Sequence, residues 1–474
     1  MGSQHLPRAA LGPFSATQLG VIGLGWWWRW RRLGGAFAEA CRGYAERESW
    51  GRDRMDALVT DSLRTLLRRA HDEVPFYRDR IAAAGMRVED IGRITAAELA
   101  RLPLLDKQIV RENPELILTD RARRKPPRWF TTSGSTGTPI RVYCSPRSQQ
   151  EANAVRAVRS FGWAGVSCRS PRSMIGGRLV VPASRRRPPF WVWNPWERQV
   201  YLSAFHIAPD HVPHYVAILN RVRPVVMTGY ASANYFLARM VQELGLHVHS
   251  PKAIITSSEG VTPGMRLTLE TVFRTRVYEE YGLSENCALA TQCEHGRLHV
   301  HPDFGCVELI TGDGGHAKPG EPGEIVATAF GNTDQLFIRY RTGDVGIWSP
   351  EPCPCGRSSL PVLRELVGRL EDTVVGPDGR ETVRFHGLFL DMPGIAEGQV
   401  VQETLKDLIV NVVPTQSYSS HDAQTIASRV ADLLGDGVRT RVCLLDSIPR
   451  EASGKFRAVV SHVRRDRAIR DRSE

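Results

Sequence analysis

The stretch Thr131-Thr132-Ser133-Gly134-Ser135-Thr136-Gly137-Thr138-Pro139 constrains this chain more than any other. Of its first seven residues, five carry hydroxyls and two are glycine. Glycine lets the backbone turn tightly and approach a ligand closely. Successive N–H groups then converge into a nest for an anion, and the hydroxyls add donors at the same place. A phosphate group is the natural guest. No lysine sits inside the stretch, so it is not the G-x-x-x-x-G-K-S/T loop. A cation for a bound polyphosphate must therefore come from elsewhere in the chain. The competing reading is a flexible Ser/Thr/Gly linker. The stretch follows a β-like run, Arg128-Trp129-Phe130, and leads into Ile140-Arg141-Val142-Tyr143, which alternates like a strand. That strand–loop–strand setting suits an anion nest.

Composition narrows the class. The 474 residues are 42% hydrophobic and 24% charged, ordinary for a soluble enzyme with a sizeable core. Formal net charge is +11, yet only six of the 62 basic residues are lysine. This arginine excess is a bias of the whole chain and weak support for a nucleic-acid partner. The basic runs, at 121–125, 185–187 and near the C-terminus, are not interleaved with stacking aromatics. No nucleic-acid partner is expected. Nine cysteines, an odd number, and no secretory signal point to the reducing cytoplasm. An apolar patch from Leu19 to Trp28, followed by Arg29-Trp30-Arg31-Arg32, is too short to span a bilayer. Such a patch can touch a membrane surface; packing on its own domain or on a partner is the commoner fate and is expected here.

From Gly34 to Ala84 apolar residues recur at helical spacing, interrupted at Val74-Pro75-Phe76-Tyr77. A short helix is expected over Ile94–Ala100. The middle third alternates apolar strands (Leu179–Val181, Val225–Met227, Ala253–Thr256) with helices (His214–Leu219, Tyr235–Leu244), the rhythm of an α/β layered core. From Gly305 to Trp348 the chain turns to β, with strands over Val307–Ile310, Glu324–Thr328 and Leu336–Tyr340. Gly368-Arg369-Leu370-Glu371-Asp372 marks a boundary, after which a small α+β unit carries a strand, an amphipathic helix (Ala423–Leu434), another strand (Thr440–Leu445) and Lys455. The expected division is a large α/β, multi-sheet domain over 1–368, with 1–50 as an extension, and a small mobile α+β domain over 369–474.

The hydroxyl-rich loop, Tyr281-Gly282-Leu283-Ser284-Glu285, Tyr340-Arg341-Thr342-Gly343-Asp344, Gly368-Arg369 and Ser453-Gly454-Lys455 occur in that order. The ordered set resembles the AMP-forming adenylating enzymes. Val74-Pro75-Phe76-Tyr77, Leu102–Lys107 and Cys353-Pro354-Cys355-Gly356-Arg357 make it most similar to the phenylacetate–CoA ligase group with its CapK-like relatives. The resemblance spans about Arg54 to Arg457. It implies that a carboxylate attacks the α-phosphate of ATP to give an acyl adenylate and pyrophosphate. It also implies that Thr132, Ser133, Gly134, Ser135, Thr136 and Gly137 hold the β/γ-phosphates. Ser258, Glu259 and Gly260, with Glu280, Tyr281, Gly282, Leu283 and Ser284, would form the nucleotide site, Tyr281 near the adenine. Glu285 would hold Mg²⁺, Asp344 the ribose hydroxyls, and Arg369 ribose or phosphate. Lys455 would bring the missing cation to the α-phosphate. Phe205, Gly229, Tyr230 and Ala231 would line the acyl pocket, with His206 beside the acyl carboxylate; Trp191, Trp193 and Trp196 are available to shape it, or to pack elsewhere. Glu371 or Asp372 would be the hinge of a rotating C-terminal domain.

Coenzyme A is the implied acceptor, with an amine (an amide synthetase) or a carrier-protein thiol as alternatives, and a homodimer is compatible with the chain. Separately, Cys293-Glu294-His295 and Cys353-Pro354-Cys355 offer four ligands, Cys293, His295, Cys353 and Cys355, enough for a closed tetrahedral Zn²⁺ site, with Cys287 as a possible intruder. Three reduced cysteines and a histidine near turns is the plainer alternative.

Overall fold

The computed structural model describes residues 16–132, 140–177, 179–182, 184–369, 374–377, 381–382, 386–389, 392, 394–434, 437–449 and 457–463. The chain opens with four helices, α1 (Ala16–Leu33), α2 (Phe37–Arg47), α3 (Arg52–Glu73) and α4 (Pro75–Ala83). Helix α3 buries Met55, Val59, Leu63, Leu66, Leu67 and Ala70, a stripe at spacings of three and four. It stops at Val74, whose backbone is extended (φ −126°, ψ 100°), because the next residue is proline. Pro75 then opens α4, where its missing N–H costs nothing. The expected helix at 94–100 is a short 3₁₀ turn, Glu98–Arg101. Short helices α5 (Val88–Ile91), α6 (Lys107–Glu112) and α7 (Asp120–Arg124) lead to the two-stranded sheet β1 (Trp129–Thr131) and β2 (Arg141–Tyr143) that frames the hydroxyl-rich loop.

Next come α8 (Pro146–Val155), β3 (Arg172–Gly176), β4 (Trp191–Asn194), β5 (Gln199–Ser203), α9 (Val212–Val222), β6 (Val226–Gly229), α10 (Ala231–Glu243), β7 (Ala253–Ser257), α11 (Pro263–Phe273) and β8 (Val277–Gly282). Strands β5, β3, β6, β7 and β8 pair parallel in that spatial order. Successive residues serve opposite faces. Ile254 and Met227 join a core with Leu219 of α9, Leu237 of α10 and Phe273 of α11. Val226 and Ile255 look the other way, onto Ala164. The sheet continues through β9 (Leu289–Gln292), β10 (Leu298–Val300), β14 (Val362–Arg369), β13 (Tyr340–Trp348), β12 (Pro322–Ala329) and β11 (Gly305–Ile310) to twelve strands, with β4 at the opposite edge.

Two expected strands are absent. Val180 and Val181 are buried without joining a ladder. Leu336, Phe337 and Ile338 are also buried, but their backbone bonds go to isolated partners: Leu336 N donates to Ile117 O and Ala329 N donates to Phe337 O. Both runs are apolar because they fill cores, which a β pattern alone does not distinguish.

By its internal contacts the chain divides into residues 1–261, 265–342 and 346–365 as one unit and 262–264, 343–345 and 366–474 as another. Besides the short pair β15 (Val374–Val375) and β16 (Glu381–Thr382), the second unit holds β17 (Ile395–Gln402), β18 (Asp407–Pro414), α12 (Ser420–Leu434), β19 (Arg439–Leu444) and β20 (Val459–Ser461). Four of these strands form one sheet, ordered β19-β18-β17-β20. Ile426, Val430 and Leu434 of α12 pack on Val400, Leu408, Val410 and Val412. The architecture is mixed α/β, a large multi-stranded sheet with a separate small C-terminal domain.

One glycine is fixed by the parallel ladder. Gly229 has φ +125°, and a Cβ there would lie 1.9 Å from the Ile175 carbonyl oxygen. Gly229→Ala should therefore cost about 2 kcal/mol or more. Urea denaturation of the variant against the parent checks this, and equal midpoints would contradict it.

Candidate active site at the carboxyl ends of the parallel strands

Ligands of open parallel sheets bind beyond the carboxyl ends of the strands. Those ends collect the expected site residues. His206 follows β5, Gly229-Tyr230-Ala231 follow β6, Ser258-Glu259-Gly260 follow β7, and Glu280 to Glu285 close β8. Each loop is held in a definite way. The Ser203 hydroxyl and His206 Nδ1 are 2.8 Å apart, and Phe190 stacks on the His206 ring at 5.1 Å. Tyr230 N donates to Ile175 O, tying the β6 loop to β3. Glu259 accepts from Ser232 N at 2.9 Å, tying the β7 loop to the start of α10. Ser258 sits at φ +71°, a left-handed conformation uncommon for a side-chain-bearing residue. Phe205 is partly exposed beside the buried His206.

A cavity of about 320 Å³ opens here, walled by Ser257, Ser258, Glu280, Gly282, Leu283 and Ser284 from the strand ends and by Phe130, Cys144 and Asn286. Another part of its wall is a helix face not foreseen from the sequence: Gln149, Ala152, Asn153 and Arg156. The i, i+4, i+7 spacing of Gln149, Asn153 and Arg156, just after the loop's second strand, was the available signal. At Arg156 helix α8 widens into a π-turn, Arg156–Phe161, a local distortion common at functional sites. Arg156 Nε donates to Glu280 Oε1 at 2.9 Å and the Ser160 hydroxyl donates to Oε2 at 2.5 Å. Both Glu280 oxygens are thus engaged by protein, so this carboxylate fixes the wall of the cavity. Tyr281 points to the other face of β8 and, with Leu283, packs at the margin of a first core, the one that Leu63 and Leu67 of α3 form with Phe337 and Tyr340. Glu285 is buried, and the Tyr340 hydroxyl donates to its Oε1 at 2.9 Å.

Asp344 lies half-buried on β13. Thr132 closes the base of the hydroxyl-rich loop: its N–H donates to Ile140 O and its Oγ1 accepts from Ile140 N, both at 3.0 Å. Ser133, Gly134, Ser135, Thr136, Gly137, Glu371, Asp372, Lys455 and the Arg369 side chain lie outside the described residues. Trp196 is drawn away to α1, to which it donates at the Ile22 carbonyl.

The metal-ligand set differs from expectation by one residue. Cys293, His299, Cys353 and Cys355 bring one ligand atom each within 4.8 Å of one another. His295 is exposed at the tip of the β9–β10 turn, where Gly296 reverses the chain at φ +74°. Its role in the cluster is through the backbone: His295 N donates to Cys293 Sγ at 3.3 Å. The turn returns the chain so that His299 faces Cys355, its Nε2 3.4 Å from Sγ while Nδ1 lies 3.0 Å from Leu360 O. Burial lowers the His299 pKa, keeping the imidazole neutral as a metal ligand requires. Burial and the neighbouring thiols push Cys353 up to about 12, the behaviour of clustered thiols that a divalent cation would convert to thiolates. Cys287 is buried in the first core, away from this set.

The comparisons with known proteins decide the family. The chain is 31% identical over 328 residues to the phenylacetate-coenzyme A ligase of Escherichia coli (strain K12), covering 62% of this chain and 67% of that protein. The chain belongs to the phenylacetate–CoA ligase and CapK-like group of AMP-forming adenylating enzymes. Residues 378–462 match the CapK C-terminal domain model. Protein CapK of Staphylococcus aureus is 24% identical over 388 residues, 78% of this chain and 82% of that protein. Among solved structures, 2-hydroxyisobutyryl-CoA ligase in its postadenylation state superposes with a TM-score of 0.67 at 20% identity, over 89% of this chain and 92% of that one. It shares the fold. As a member of this group the protein is an AMP-forming ligase.

Beneath the cavity wall, the fully buried Arg159 donates to both oxygens of Asp303, at 2.6 and 2.8 Å, and Arg47 donates to Oδ2 at 2.7 Å. Burial alone would raise the Asp303 pKa, but Arg159 and then Arg47 outweigh it and hold the carboxyl below its usual value. A lowered folded-state pKa contributes stability above the unfolded value, about 3.9, that is lost as pH falls through the folded one. Asp303→Asn leaves a buried guanidinium uncompensated and should cost roughly 3–5 kcal/mol at neutral pH. The deficit should narrow below about pH 4. Urea denaturation across pH measures both effects.

Proposed function

We propose that the protein activates a small carboxylic acid with ATP and transfers the acyl group to the thiol of coenzyme A. The carboxylate oxygen bonds to the α-phosphorus, pyrophosphate leaves, and the thiol sulfur then displaces AMP from the acyl carbon while giving up its proton. The observation that carries this reading is the convergence of Ser258–Gly260, Glu280–Glu285 and His206 on one edge of the parallel sheet, in a chain of this family. The relative named above as a phenylacetate-coenzyme A ligase makes an aryl or related acid the first substrate class to test.

In this reading the loop 132–137 cradles the phosphates and Lys455 supplies the cation the loop lacks. Preorganised donors of this kind act on charge that develops in the transition state. Asp344 accepts from the ribose hydroxyls and Arg369 contacts ribose or phosphate. Gly229, Tyr230 and Ala231, with Phe205, line the acyl pocket, and His206 orients the carboxylate. Glu285, which accepts from the Tyr340 hydroxyl, would hold Mg²⁺, whose charge would offset that of the phosphates. The domain of residues 369–474 turns about Glu371 or Asp372 between the two half-reactions. Cys293, His299, Cys353 and Cys355 would hold a structural Zn²⁺ and so tie together β9, β10 and the segment before β14; four protein donors suit a structural role, not a catalytic one.

ATP–pyrophosphate exchange over aryl, arylacetic, fatty and amino acids, each repeated with coenzyme A or amines as trap, tests the reaction. Acid-dependent exchange with acyl-CoA in the trap is expected; amide in place of thioester would overturn the acceptor. Lys455→Ala should lower exchange by at least about a hundredfold with circular dichroism unchanged. Unaltered exchange would remove the lysine from the site.

The zinc assignment has its own measurement. Elemental analysis should find near-stoichiometric zinc in the parent and in His295→Ala, and a large loss in His299→Ala. Retention in His299→Ala would rule out that histidine as a ligand.

A further inference from the structure

Helix α1 meets the rest of the molecule on two of its faces. On the first, the Gln18 amide donates to Trp193 O at 2.7 Å and accepts from Trp193 N at 3.0 Å. One side chain thereby satisfies both backbone groups of a residue on the sheet's edge strand β4, which protects that edge. Along the same face, Ile22 O accepts from Trp196 Nε1, Gly25 lies where any Cβ would strike Trp196, Arg29 donates to Trp196 O, and Arg32 pairs with Glu197 at 2.8 Å. Positions 18, 22, 25, 29 and 32 form one helical stripe. On the second face, buried Arg31 donates to Cys144 O and to Gln149 of α8.

The third face is Leu19, Gly23, Trp26 and Trp30, at i, i+4, i+7 and i+11. Leu19 is 57% exposed, Trp26 55% and Trp30 49%. Docking has anchored the helix and left an apolar, tryptophan-bearing stripe facing outward. A basic run meets the helix at two other tryptophans. Arg128 stacks over Trp27 and Trp28 at 5.5 and 5.0 Å from the ring centroids. It ends a run in which Arg121, Arg123, Arg124 and Lys125 are exposed; residues 120–130 hold five basic side chains and one acid, Asp120. Trp129, the residue after Arg128, is 48% exposed, with Arg141 over its ring at 5.2 Å.

Tryptophan prefers the headgroup level of a bilayer, where an apolar ring with one polar edge is matched on both sides. Arginine and lysine beside it meet anionic headgroups. A second copy of this chain, at net charge +11, would present the same sign and repel. No helix among the described residues is long and apolar enough to cross a membrane. We propose that the Leu19–Trp30 face of α1, together with the basic run at 121–128, docks this enzyme flat on an anionic lipid surface.

The test is co-sedimentation of the full chain with phosphatidylcholine vesicles made with and without phosphatidylglycerol. Binding is expected with phosphatidylglycerol, weak without it, and weaker at high salt. The double variant Trp26→Ser/Trp30→Ser should lower partitioning by roughly tenfold or more with its far-ultraviolet circular dichroism unchanged. Arg124→Glu/Lys125→Glu should also lower it. Three results would each overturn the proposal: no partitioning into phosphatidylglycerol vesicles, partitioning that the tryptophan variant leaves unchanged, or a dimer seen by light scattering that the tryptophan variant dissociates.

Discussion

The parallel pairing of β3 with β5 and β6, and of β7 with β6 and β8, is the constraint on which the rest of the molecule depends. Parallel strands need a crossover between them, and here α9, α10 and α11 provide crossovers that also cover one face. Every crossover must start from the same sheet edge. Chemistry-bearing loops from distant parts of the sequence are therefore forced onto one line, where contacts such as Ser232 N to Glu259 then tie them together. The close approach of Gly229 to Ile175 is the local expression of this demand, where two neighbouring strands end together and the chain must turn away at once.

The strand-end loops alone would not make a stiff site. Glu280 is gripped from the π-turn by Arg156 and Ser160, while the same turn sends Arg159 the other way to Asp303. One distorted stretch of helix thus ties the cavity wall to a buried ion pair. The metal-ligand cluster bears on the same region from the far side. Trp163 packs edge-on against both His299 and His301, and His301 Nε2 lies 2.9 Å from Thr291 Oγ1, the residue paired with Glu280 across β8 and β9. A cation held at Cys293, His299, Cys353 and Cys355 would brace the hairpin that carries Thr291. Its influence on the cavity would run through packing and register.

What the sequence made legible follows from locality. Tyr281-Gly282-Leu283-Ser284-Glu285 and Ser258-Glu259-Gly260 are contiguous segments, and a contiguous segment that ends a strand can be recognised as a unit. The histidine that the fold brings to the cysteine cluster, His299, was not legible, because C-x-H places His295 near Cys293 only along the chain. The turn at Gly296 exposes His295 and returns His299 beside Cys355, a consequence of β9–β10 register visible only in three dimensions. The polar face of α8 was missed for the related reason that it meets the strand ends across the fold. Leu336–Ile338 was misread as a strand because burial on all sides produces the same apolar run as a central strand.

The charge balance ties these features together. Several buried arginines face a carboxylate: Arg159 with Asp303, Arg172 with Glu197, Arg339 with Glu308. Pairing of this kind is what permits a guanidinium to be desolvated, and it adds nothing to the net charge of the interior. Much of the basic surplus lies at the surface, in runs such as 121–125 and 185–187. A surface field of one sign raises the local concentration of any polyanion and falls off over a Debye length. A nucleotide triphosphate approaching the strand ends and an anionic headgroup approaching α1 would feel the same field. The arginine bias that says little about nucleic acid is thus consistent with a molecule whose partners are anions of other kinds.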